Sequence, residues 1–170
     1  MTKLLPVCLA LVLAGAAPLQ DPPPRPKAVP PADRVDLALR RGLQFLLNQQ
    51  DKEGAIQSKW LWGNRTAITA LSLMAFAAAG HQASDETPEG LAMKKALDFV
   101  LRPEHQDSEG YFGGQDGSRM YGHGIITLML GEFLGMGADG IQDRLIRDRC
   151  IAAVRLILRS QSVSKDAEHE

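Results

Sequence analysis

Few side chains in this sequence have the types and spacing that do chemistry. Tyr121-Gly122-His123-Gly124 sets a phenol and an imidazole two residues apart at the head of an apolar run. Such a pair can bind a ligand or pass a proton, or it can simply cap and pack a helix start. Trp60 and Trp62 are aromatics of the same double reading, lining a cavity or interface or filling a packing gap. None of the four histidines, His81, His105, His123 and His169, has a Cys, His or carboxylate companion at zinc-ligand spacing, so no metal is expected. The stretch from Gly135 to Gly140 formally reads GxGxxG, but a dinucleotide loop must follow a strand and open a helix. Here it follows an apolar helical run and reads as a helix-ending glycine turn. GYFGGQDG, residues 110–117, lacks the Lys and Ser/Thr of a phosphate loop and reads as a turn. Asn64-Arg65-Thr66 matches a glycosylation acceptor, though Asn64 serves better as a helix cap. No catalytic, cofactor or metal residue is therefore assigned.

The elements that must position these residues are all helical, and no strand is expected. Asp33 caps a first helix to about Asn48, with Val35, Leu39, Leu43, Leu46 and Leu47 on one side. A second, over residues 66–79, is apolar nearly all round, so it is expected to be buried on most sides and to close on Gly80. A third, over 88–101, is amphipathic, opened by Pro88 and stopped by Pro103. A fourth, over 121–134, is again mostly apolar. A fifth, over 144–161, is amphipathic, with Ile151, Val154 and Leu158 on one side. Half-wet helices alternate with buried ones, as a two-layer helical array would require.

The chain has 170 residues, 45% hydrophobic and 23% charged, with a net charge of -1. That suffices for one domain with a real core. It gives no electrostatic pull toward nucleic acid, and no basic stripe with interleaved aromatics argues for one. Lys3, the apolar stretch 4–14 and Ala14-Gly15-Ala16 read as an export signal over residues 1–16, with an uncleaved membrane anchor as the alternative. Residues 17–32 form a Pro-rich linker, and residues 33–170 the domain. Removing the signal removes Cys8 and leaves Cys150 without an internal disulfide partner.

The helices repeat. Arg41-Gly42-Leu43-Gln44-Phe45-Leu46 aligns with Lys95-Ala96-Leu97-Asp98-Phe99-Val100, an offset of 54 (96 minus 42). Ala152-Ala153-Val154-Arg155-Leu156-Ile157 follows at 57 (153 minus 96). After the first copy come Gln50 and Gly54-Ala55-Ile56, and after the second Gln106 and Gly110-Tyr111-Phe112. The third reaches Gln161. The unit is an amphipathic helix, a glutamine turn, a glycine and a buried helix.

This unit resembles the QW repeat of squalene-hopene cyclases and protein prenyltransferases, the α/α-toroid superfamily. Residues 41–56 match every fixed position except the last, where Ile56 stands for Trp. In the second copy Phe112 stands there, and Gln106 comes two residues late. The resemblance implies an all-α fold, a partial α/α toroid of about five helices, in which the glutamine ties the end of one helix to the start of the next and catalyses nothing. It also implies an exported repeat protein that binds or transforms an isoprenoid or another apolar ligand. The superfamily's DxDD acid and its Asp-x-Cys zinc ligands have no counterpart here. A non-catalytic scaffold, or a fragment without activity of its own, is the rival reading. Because the third copy stops before its Gly-x-Trp, further C-terminal repeats, or self-association of the exposed side of Ile151, Val154 and Leu158, are expected.

Overall fold

The computed structural model describes residues 33–57 and 63–163. The expected export signal and linker, Trp60, Trp62 and the tail beyond Val163 lie outside the described residues. The fold is all-α, with helices α1 (Arg34–Gln49), α2 (Arg65–Ala78), α3 (Pro88–Val100), α4 (Arg119–Glu132) and α5 (Gly140–Gln161). A short 3-10 turn, Pro103–His105, sits between α3 and α4. No strand occurs among the described residues, only the isolated bridges Gln50 to Ile56 and Gln106 to Phe112.

Local chemistry sets the ends. The Asp33 carboxylate accepts from the Val35 and Asp36 amides and starts α1. Thr87 accepts from Gly90 N–H, and Pro88 fills the first turn of α3, where its missing N–H costs nothing. Gly80 takes a left-handed φ of 91° and closes α2 with paired bonds, Gly80 N–H to Ala77 O and His81 N–H to Phe76 O. Two starts differ from the sequence expectation. Helix α5 begins at Gly140, four residues earlier than position 144, because Asp139 accepts from the Ile141 and Gln142 amides. Asn64 stands at the N-cap of α2 but makes no side-chain cap; its φ is 56°. The cap comes instead from Asp116, fifty residues away, whose Oδ2 accepts from Thr66 N–H at 3.0 Å.

Helix α2 packs against both α3 and α4, and α4 packs against α5, whereas α1 touches α2 and α3 only lightly. The core runs through these contacts, with Phe76, Phe99, Phe112 and Phe133 fully buried. Each such ring contributes about 1.5–3 kcal/mol by leaving water. The expectation that α2 and α4 are buried on most sides holds for Ala70, Leu73, Phe76, Ile126, Met129 and Leu130. It fails along one stripe of each, where Leu71 and Leu128 stay about half exposed. The apolar side expected of α1 is mostly open as well. Leu43 is buried and Leu46 and Leu47 are half-buried, but Val35 and Leu39 are exposed, because no inner helix lies against that part of α1 as α2 lies against α3.

Candidate functional site

The glutamine turns are the most regular feature of the molecule. Gln50 Nε2 donates to Gly54 O at 3.1 Å and to Ala92 O at 2.8 Å. Gln106 Nε2 donates to Gly110 O at 3.0 Å and to Arg149 O at 2.9 Å. Each amide thus holds its own turn and reaches a carbonyl on the outer helix of the next repeat. That differs from the expected bridge between the end of one helix and the amides of the following one. A carbonyl inside a helix keeps a free lone pair, so Ala92 and Arg149 can accept the extra bond.

The neighbouring residues repeat too. Asp51 Oδ1 accepts from the Glu53 and Ala55 amides, and Asp107 Oδ1 from the Glu109 and Tyr111 amides. Arg102 donates to Glu53 O, and Arg159 to Glu109 O. Burial acts to raise the Asp51 carboxyl, but bonds from Gln57, Arg65 and two backbone amides outweigh it and hold the pKa below its ordinary value. Gly54 and Gly110 have left-handed φ angles of 98° and 93°. A Cβ on Gly54 would collide with the Lys95 carbonyl, and one on Gly110 with the Ala152 carbonyl. Glycine is required there by both conformation and contact.

The structure separates Tyr121 from His123. Two helical residues point about 200° apart. Tyr121 is 86% exposed, whereas His123 is fully buried. His123 Nδ1 accepts from Phe112 N–H at 3.2 Å, the bond that Thr69 Oγ1 accepts from Ile56 N–H at 3.0 Å in the first repeat. An Nδ1 that accepts a backbone N–H leaves the proton on Nε2, so the ring is the neutral tautomer. Desolvation pushes its pKa below 6.5, against the opposing pull of the Ala153 backbone and the Asp107 charge. Nε2 is buried and makes no hydrogen bond of good geometry. His123 is committed to the turn; the i, i+2 spacing signalled only that it and Tyr121 face apart on a helix. His105 bonds the Phe99 carbonyl through Nδ1 at 2.7 Å and stacks on the Phe99 ring. Cys150 is a buried free thiol whose pKa burial raises. Among the described residues, no three His, Cys, Asp or Glu side chains converge on a metal-sized site.

Open surface remains along the exposed stripes of α2 and α4. At their N-terminal ends lies a cleft of about 400 Å³, lined by Ile68, Leu71, Arg119, Tyr121 and Ile125 among others. At their C-terminal ends lies a hollow of about 320 Å³, lined by Met74, Ala77, Ala78, Glu132, Phe133 and Met136. Ile68, Leu71, Ala75 and Ala78 share one face of α2, and Tyr121, Ile125, Leu128 and Glu132 share one face of α4. The cleft and the hollow lie toward opposite ends of these faces, which run about 20 Å by the rise of 14-residue helices. Arg119 lines the first and Glu132 the second. Asp116 fixes the Arg119 end. Burial acts to raise its carboxyl, but bonds from Ser118 and the Thr66 amide prevail and keep it ionised below the ordinary range. Sequence reading missed Asp116 as a cap, and its place before Ser118 in a glycine-rich turn was the only local signal.

No protein-family model, no curated protein and no solved structure matches this chain.

Proposed function

We propose that this chain is a repeat module of the α/α-toroid type that holds an apolar ligand, of isoprenoid or similar chemistry, against the exposed faces of α2 and α4. The observation that carries this reading is the pair of hollows between α2 and α4, which we read as one groove. Each of these mostly apolar helices leaves a leucine half exposed, Leu71 on α2 and Leu128 on α4, and the charged residues lining the hollows are Arg119 at one end and Glu132 at the other. Exposed apolar stripes rimmed by charge mark binding surfaces. The alternating outer and inner helices and the glutamine turns support the architectural part, and the export signal read in residues 1–16 supports a location outside the cytoplasm.

We read the role as binding, because His123 and both repeat glutamines are consumed in holding turns. The same commitment favours a second reading, in which a macromolecular partner covers the groove. Lipid extraction and mass spectrometry of purified full-length protein separate the two. An isoprenoid that co-purifies, and is lost from the Leu71→Glu/Leu128→Glu variant, supports the first. Ligand-free protein in a stable macromolecular complex supports the second and refutes the first.

A further inference from the structure

The two ends of the groove are lined differently. Four polar residues, Asn64, Ser118, Arg119 and Tyr121, line the cleft beside Leu71 and Ile125. Among the described residues lining the hollow, Glu132 is the only polar one, set among methionine, alanine and phenylalanine. One end is thus equipped for a polar head and the other for a hydrocarbon tail. The cleft gathers the starts of both helices and the hollow gathers their ends, so α2 and α4 run in the same direction. Their dipoles add, positive toward the cleft and negative toward the hollow. Asp116 offsets the α2 contribution by taking the Thr66 amide, whereas α4 starts without a side-chain cap.

Arg119 has its charge to offer. The ion pairs among the described residues join Arg65 to Asp51 and Glu53, Arg102 to Glu53, and Arg159 to Glu109. All gather at the glutamine turns, and none engages Arg119, which is exposed like Tyr121. Asn64 and Arg119 are also the two non-glycine residues with left-handed φ among those described, at 56° and 54°. Both line the cleft, and backbone strain of this kind gathers at ligand sites. The charge also limits the head group. Asp116 is already bound to the Thr66 and Ser118 amides, so Arg119 is the one cation lining the cleft. One guanidinium balances one carboxylate, which its planar fork can meet with two parallel bonds. A second negative charge would find no partner in that lining.

We propose that the ligand is a long-chain monocarboxylate, its head in the cleft on Arg119 and Tyr121 and its tail along Leu71 and Leu128 toward the hollow. This rests on the reading of the two hollows as one groove. Spaces of about 400 and 320 Å³ suit one single-chain molecule.

Titration calorimetry on the full chain tests this with dodecanoate, dodecanol and dodecylammonium, each below its aggregation limit. The parent should bind dodecanoate most tightly. Arg119→Gln should weaken dodecanoate about fivefold, the upper worth of an exposed ion pair, and leave dodecanol within about twofold. Arg119→Glu should reverse the order in favour of dodecylammonium. The circular-dichroism melts of both variants should match the parent, since the Arg119 side chain is exposed. Leu71→Glu/Leu128→Glu should lose all three ligands. If the parent binds none of the three, or the double variant binds as the parent does, the groove reading falls and the head-group assignment with it. If dodecanol binds the parent as tightly as dodecanoate, or Arg119→Gln weakens both equally, the groove stands and the head-group assignment is overturned. Dodecylammonium bound most tightly by the parent puts the head at Glu132 and overturns it as well.

Discussion

Replacing the repeat glutamines by alanine tests whether they hold the repeats together, and the three positions should rank in a definite order. Gln106 is buried, donates two bonds and accepts a third from Arg149 Nη1 at 3.3 Å. Gln106→Ala leaves the Gly110 carbonyl without that donor inside the protein. At about 1 kcal/mol per net bond, plus the penalty for a buried unpaired acceptor, the loss is about 2–4 kcal/mol. Gln50 makes two bonds and is half-buried, so water replaces part of what is lost and Gln50→Ala should cost about 1–2 kcal/mol. Gln161 ends α5 exposed, and Gln161→Ala should stay within about 0.5 kcal/mol of the parent. For a domain of this size the largest loss lowers the melting temperature by on the order of 10 °C. Thermal and urea unfolding of the full chain, followed by circular dichroism, read the series. Gln106→Ala melting together with Gln161→Ala would refute the assignment of Gln106 to the repeat interface.

Two further predictions concern the same turns. Gly110→Ala forces a Cβ into the Ala152 carbonyl at a left-handed φ and should destabilise by about 2–5 kcal/mol, whereas Gly117→Ala, also at positive φ but with open space around it, should cost less in the same urea series; equal losses would show that the contact with α5 is unimportant. His123 has a folded pKa below its ordinary 6.5, so its contribution is complete above pH 6.5 and declines as the pH falls below that value, where the unfolded chain takes a proton that the buried ring refuses. His123→Thr restores the acceptor that Thr69 provides in the first repeat and should flatten this slope in urea midpoints measured between pH 7.5 and 5.5, values chosen about one unit to either side of 6.5. An unchanged slope would place the titration elsewhere.

Much of the fold was legible because it is written in local chemistry. Apolar periodicity set the five helices, and Asp33, Pro88 and Gly80 set their ends through bonds within a few residues. The repeat was legible because Gln50, Gly54, Gln106 and Gly110 recur at fixed spacing, and each glycine has a backbone conformation other residues resist. Even the late arrival of Gln106 was visible, since Pro103 opens the 3-10 turn that precedes it.

What the sequence could not decide was which partner each side chain meets. The glutamine amide crosses to Ala92 and Arg149, 42 and 43 residues on, and no local pattern specifies a carbonyl inside another helix. Asp116 caps α2 from fifty residues away and displaces Asn64 from that role. Tyr121 and His123 looked like one site in sequence, but helical geometry turns one to solvent and the packing of Phe112 claims the other. Burial is likewise a property of neighbours. Phe45 and Phe99 occupy the same register position, yet one is exposed and the other buried, because α2 packs against α3 while no helix packs against the matching side of α1 among the described residues. The sequence alone determined helices, turns and their period, which depend on short-range sterics and hydrogen bonding. The tertiary structure decided which surfaces remain open, because that depends on what each helix packs against.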